Sequence, residues 1–162
     1  MIGLNLCPFA ENPYRSNRVR FRISEQRSAA GLLQDLRSEL GKLASAEPAD
    51  CETSLLIHPW VLTDFIEYND FLAVCDAAVL ELDLEGVLQV ASFHPQYQFA
   101  GTQPDDIENF TNRSPYPMLH LLREASVERA VAAVRDTEEI FRRNIRTLRA
   151  LGHVGWKRLW GE

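Results

Sequence analysis

Lysine is nearly missing from this chain: Lys42 and Lys157 stand alone among 17 basic residues, and arginine supplies the rest. A GC-rich coding bias explains that preference as well as selection for planar anion-binding forks does. No run approaches the roughly 18 apolar residues that a membrane helix needs. The N-terminus also lacks a charged region followed by a long apolar stretch, so no secretory signal is visible and a cytoplasmic location is expected. Cysteine is sparse. Cys7, Cys51 and Cys75 are odd in number and show no CxxC spacing, which argues against a disulfide framework and a structural zinc ribbon. The chain contains no GxGxxG, P-loop, GxSxG or SxxK, which makes a dinucleotide oxidoreductase, a P-loop NTPase or a serine hydrolase a poor description.

A surplus of positive charge is absent as well. With 23 acidic residues the net charge is −6, which opposes general nucleic-acid binding because phosphates are neutralised by Lys and Arg. Arginines cluster locally at positions 15, 18, 20 and 22, and again at 142, 143, 146 and 149, diluted by acids elsewhere. The 162 residues suit one globular domain spanning the whole chain, with 46% hydrophobic and 25% charged residues, which is ordinary.

Periodicity supplies the elements. Residues 18–24 alternate, with Val19, Phe21 and Ile23 on one side and arginines on the other, as in a half-exposed strand. Residues 28–44 read as a helix whose inward stripe is Leu32, Leu36, Leu40 and Leu43. A short apolar run, Thr53 to His58, fits a buried strand ended by Pro59. The next helix starts near Thr63 and Asp64, with Glu67 completing a capping box. Phe65, Tyr68, Leu72, Cys75, Val79 and Leu82 recur at spacings of three and four along it. Gly86 ends a turn, and residues 87–93 form a third strand. Alternation of strand and helix predicts an α/β fold: a small, mostly parallel sheet of three or slightly more strands with packed helices. The C-terminal third is expected to be helical. There, residues 114–123 form a proline-initiated helix, Ser126 caps a second, and Asp136 with Glu139 caps the last.

Three long segments also carry a resemblance. Gly3-Leu-Asn-Leu-Cys-Pro-Phe-Ala10, Gln89-Val-Ala-Ser-Phe-His-Pro-Gln-Tyr-Gln-Phe-Ala-Gly101 and Asn112-Arg-Ser-Pro-Tyr-Pro-Met-Leu-His-Leu-Leu-Arg-Glu-Ala-Ser126 resemble the bacterial domain-of-unknown-function 1415 family. The resemblance runs along nearly the whole chain and implies membership without an activity. Members of that family usually carry a helix before the first motif, whereas here Met1 falls almost on it.

Candidate chemistry gathers in residues 92–123, which combine histidines, arginines, aromatics and prolines. His58-Pro59 and His94-Pro95 each end a predicted strand. Proline pushes the preceding residue into extended geometry, so both histidines leave the sheet at its carboxyl edge, where open α/β sheets bind ligands. A plain strand stop is the bland alternative. On the expected helix, Tyr116, His120 and Arg123 share one face, either a site wall or a buried polar network. Arg113 and Ser114 would precede that helix, where free N–H groups and the dipole favour an anion. Equally, Ser114 would simply cap it while Arg113 pairs with Asp105 or Asp106. Cys7 before Pro8 would be an N-cap thiol with a lowered pKa, or else a small buried residue. Cys75 lies in the core stripe and is expected to be inert. His58, His94 and His120 with Asp105 or Asp106 are conceivable metal ligands, but no HExxH or HxH spacing assigns a metal.

The resulting expectation is an enzyme, or enzyme-like binder, of a small anionic molecule, with no nucleic acid or membrane partner. His94, His58, His120 and Cys7 are the candidate catalytic residues. Tyr97, Arg113, Ser114, Tyr116 and Arg123 are the candidate ligand-binding residues. No cofactor is assigned. The alternative is a non-catalytic module that docks a protein partner on residues 93–117, since interfaces also favour aromatics and arginine.

Overall fold

The computed structural model describes residues 3–4, 6–7, 10–132 and 137–159. After a short helix α1 (Glu11–Arg15) the chain runs β1 (Val19–Ile23), α2 (Ala29–Ser45), β2 (Thr53–Ile57), α3 (Phe65–Glu81), β3 (Leu88–Phe93), a 3₁₀ turn (Ile107–Thr111), β4 (Met118–Arg123), α4 (Glu124–Ala132) and α5 (Thr137–Leu159). The fold is mixed α/β, and α5 turns sharply at Gly152, where φ is 62°.

The caps follow from local chemistry. Ser28 accepts the Gly31 amide at the start of α2, and one Asp64 oxygen accepts the Ile66 and Glu67 amides at the start of α3. The leucine stripe of α2 is fully buried, as are Tyr68 and Cys75 of α3. Both helices pack on one side of the sheet, against Leu56, Leu88, Leu119 and Leu121. A satellite core joins Leu6, Phe110 and Leu148.

The sheet differs from expectation. It has four strands in the order β1-β2-β4-β3. β1 and β2 are parallel, but β4 is antiparallel to both its neighbours. The proline-initiated helix over 114–123 is therefore a central strand. Pro115 and Pro117 press Ser114 and Tyr116 toward extended backbone, which feeds a strand rather than a helix. The alternation that follows buries Leu119 and Leu121 together. With the helix goes the shared face of Tyr116, His120 and Arg123: in a strand, His120 and Arg123 point to opposite sides.

The polarity of β1 also has an unexpected direction. Phe21 and Ile23 are 58% and 54% exposed, while the intervening arginines lie on the helix side. Acidic residues of α2 are the reason. Glu39, 2% exposed, takes Lys42 Nζ at 2.8 Å and lies 3.8 Å from Arg20, and Asp35 accepts the Ser24 hydroxyl at 2.6 Å. A buried carboxylate requires such partners, so the polar side of β1 turns inward. The α4 helix begins at Glu124 and carries Ser126 inside its first turn. Asp136, expected to cap the last helix, lies outside the described residues.

Candidate functional site

His58 follows β2 and His94 follows β3, and both strands run the same way because each is antiparallel to β4. The two His-Pro steps thus reach the same edge of the sheet, with the start of β4 between them. Backbone bonds hold them there: His58 N donates to Pro117 O at 3.0 Å and His94 N to Asn112 O at 3.2 Å.

Tyr68 from α3 joins the two imidazoles. Its ring lies 5.8 Å from His58 and 5.0 Å from His94. Its hydroxyl accepts the Phe93 amide at 3.0 Å and donates to Met118 O at 2.8 Å, tying the end of β3 to the start of β4. Burial drives the Tyr68 pKa upward, so the hydroxyl keeps the proton that this bond needs. Phe65 lies 5.4 Å from both His94 and Tyr97, and Tyr97 meets Phe99 edge-on at 5.0 Å. In the sequence Tyr68 is one member of an apolar stripe, which does not reveal this role. The available signal was a tyrosine inside that stripe, whose hydroxyl must find a buried partner.

Hydrogen bonding defines each imidazole. The Gln96 amide donates to His94 Nδ1 at 3.0 Å, so Nε2 carries the proton and donates to Leu62 O at 3.3 Å. Both nitrogens of His94 are in use. His58 Nδ1 donates to Val61 O at 2.9 Å, while His58 Nε2 is buried with no hydrogen-bond partner among the described residues. Burial lowers the His58 pKa to about 4 and also lowers that of His94. Two histidines therefore grip consecutive carbonyls of the turn between β2 and α3. Leu62 in that turn has φ of 53°, a left-handed backbone that a bulky residue adopts at a cost.

Arg113 sits in the loop before β4 and not at a helix start. Its Nε donates to Tyr97 O at 3.3 Å and its Nη2 to Pro104 O at 2.5 Å, and the guanidinium lies 4.3 Å from the Phe110 ring centre. Burial lowers its pKa, opposed by Asp105. Ser114 caps no helix; its hydroxyl donates to Tyr116 O at 2.6 Å. Tyr116 is 53% exposed. Asn109, fully buried, organises the same loop by accepting the Phe99 amide at 3.0 Å and donating to Gln103 O at 2.7 Å.

The remaining candidates lie apart. His120 is part-buried on the side of the sheet away from α2 and α3, 6.0 Å from the Phe93 ring. Burial lowers its pKa to about 4. Arg123 clamps the end of α2, donating to Leu43 O at 2.8 Å, Ala46 O at 2.5 Å and Cys51 O at 3.1 Å. Cys7 is half-buried, and the N-cap of α1 is Ala10, not Cys7. Pro8 lies outside the described residues. Cys75 is enclosed, and burial pushes its thiol up to about 12.

The edge cluster holds one buried imidazole acceptor without a partner among the described residues beside an aromatic wall, and Arg113 is linked to that wall through the Tyr97 carbonyl. Among the described residues, no group of three or more His, Cys, Asp or Glu is placed to hold a metal ion. Nor is any described helix long and apolar enough to cross a membrane. Residues 1–158 match the family described as protein of unknown function (DUF1415), and the chain belongs to it. No curated protein and no solved structure matches the chain.

Proposed function

We propose that this member of the DUF1415 family is a cytoplasmic enzyme or enzyme-like binder of a small anionic molecule, acting at the carboxyl edge of its sheet. The observation that carries the reading is His58: one nitrogen is fixed to Val61 O, and the other is a buried acceptor without a partner among the described residues. Such a nitrogen has lost its hydration without replacement, and a ligand proton is the group that restores the balance. With its pKa lowered to about 4, this imidazole is a weak base, so Nε2 serves as a hydrogen-bond acceptor that orients a ligand N–H or O–H. His94 is the positioning residue that braces the turn, Tyr97 and Phe65 form a wall, and Arg113 supplies the anion contact through donors its loop carbonyls leave free. Entry of a ligand requires the turn over His58 to swing outward, and the strain at Leu62 lowers the cost of that motion.

A melt-shift screen of phosphorylated and carboxylated metabolites tests this reading on the wild type, His58→Asn and Arg113→Lys. Asparagine keeps a donor for Val61 O but removes the Nε2 acceptor; lysine keeps the charge but removes the fork. Binding stabilises by about 2.7 kcal/mol at a hundredfold excess of ligand over Kd. A class of anion that stabilises the wild type and neither variant supports the site. If nothing stabilises the wild type, or both variants respond equally, the reading fails. A second reading then moves ahead, docking of a protein on residues 93–117. Its support is the exposed Tyr116 ring, carried on a loop that Asn109 and Arg113 brace from within.

A further inference from the structure

The outer edge of β1 combines three features. First, no described strand pairs with its outer side, because β1 ends the strand order. Ser24 N donates to Ile57 O, and Arg18 O accepts from Glu52 N, each at 2.8 Å. Successive strand residues turn their backbone groups to opposite sides. The even positions therefore face β2, and Val19, Phe21 and Ile23 direct their N–H and C=O groups outward. Second, a groove of about 390 Å³ lies there, lined by Tyr14, Arg15, Asn17, Val19 and Phe21. Third, the side chains along the edge are sorted by side. Phe21 and Ile23 are exposed on one side of the sheet, while Arg20 and Arg22 occupy the other.

We propose that this edge binds an extended peptide segment of a partner protein, in which apolar and acidic residues alternate, as an added β-strand. The backbone supplies affinity through hydrogen bonds, and the alternation supplies selectivity. Peptide residues on the Phe21 side meet Phe21 and Ile23. Residues between them meet Arg22, which has no described ion pair, whereas the Arg20 fork is turned inward, 3.8 Å from the buried Glu39 carboxylate. A carboxylate suits Arg22. Charge disfavours a second copy as the occupant: antiparallel pairing of two β1 strands about Phe21, the register that matches their apolar side chains, sets Arg20 opposite Arg22 of the other copy, and like charges so placed are destabilising. Arginines on an edge also serve to discourage pairing with other chains. The experiment separates that role from recognition.

The probe is a fluorescein-labelled eight-residue peptide of alternating valine and glutamate, followed by anisotropy against the full chain. Binding at least tenfold tighter than that of the matching valine–lysine peptide is expected. Of two versions N-methylated at the valines or at the glutamates, one should lose binding, since only one set donates to the edge. Arg22→Glu should weaken the glutamate peptide at least tenfold and strengthen the lysine peptide, with an unchanged melting temperature. Hydrogen exchange should show new protection of the Phe21 amide. No binding, indifference to Arg22→Glu, or protection confined to other strands overturns the proposal. A chain that sediments as a dimer with its Phe21 amide already protected assigns the edge to a second copy and overturns it as well. None of these residues touches His58 or Arg113, so this inference and the proposed function fail separately.

Discussion

Thr53 dictates the protonation of His120. The Thr53 hydroxyl spends its single proton on Leu121 O at 2.6 Å, so its 2.8 Å contact with His120 Nε2 must be donated by the imidazole. His120 therefore carries a proton on Nε2 in the middle of the central strand, and burial, which lowers its pKa to about 4, keeps the ring neutral near pH 7. Thr53→Val removes the acceptor while keeping the shape. It should cost about 1–3 kcal/mol, the penalty for stranding a buried donor. Thr53→Ser should recover most of it. Urea unfolding of the three proteins measures the difference, and a Val variant as stable as wild type would show that the bond contributes nothing.

Acid sensitivity follows from the same imidazoles. His58 and His120 have pKa values near 4, below the ordinary 6.5, because burial disfavours their charged forms. Between those values the unfolded chain binds more protons than the folded one, so stability rises with pH. It should be complete above pH 6.5 and fall as pH drops toward 4. Each histidine contributes about 3 kcal/mol across that window, because a tenfold difference in proton affinity between the folded and unfolded chain is worth about 1.4 kcal/mol. Urea midpoints between pH 4 and pH 7.5 trace the slope. A flat profile would place both rings in water.

Arg123 joins three carbonyls where α2 ends. Lysine at that position keeps a charge but cannot match the planar array of donors. Arg123→Lys should lower stability by about 1–3 kcal/mol, since buried carbonyls lose charge-assisted partners. Thermal melts decide it, and the effect should be independent of any ligand.

Thiol chemistry separates the cysteines. Cys7 is half-buried, whereas Cys75 is enclosed and its thiol pushed up to about 12 by burial. The thiolate is the reactive form. Brief alkylation followed by mass spectrometry should label Cys7 first, and early labelling of Cys75 would mean that α3 opens readily.

What the sequence determined by itself was whatever depends on neighbours along the chain. Leucines every three or four residues specify α2, a mixed apolar stripe at the same spacing specifies α3, Ser28 and Asp64 specify their starts, and His-Pro steps specify where β2 and β3 end. Both histidines reach one edge because strands joined through helices run the same way. The rest was non-local. Residues 118–123 satisfy a helical spacing and a strand alternation equally, and they became β4 because a gap between β2 and β3 offered backbone partners on both sides. Alternation along β1 marked two faces without saying which was inward; the buried Glu39 and the half-buried Asp35 of α2 decided that, by requiring polar partners. Tyr68 met the two histidines through tertiary packing alone. Spacing along a chain reports what a residue can pair with, and only the assembled sheet reports what it does pair with.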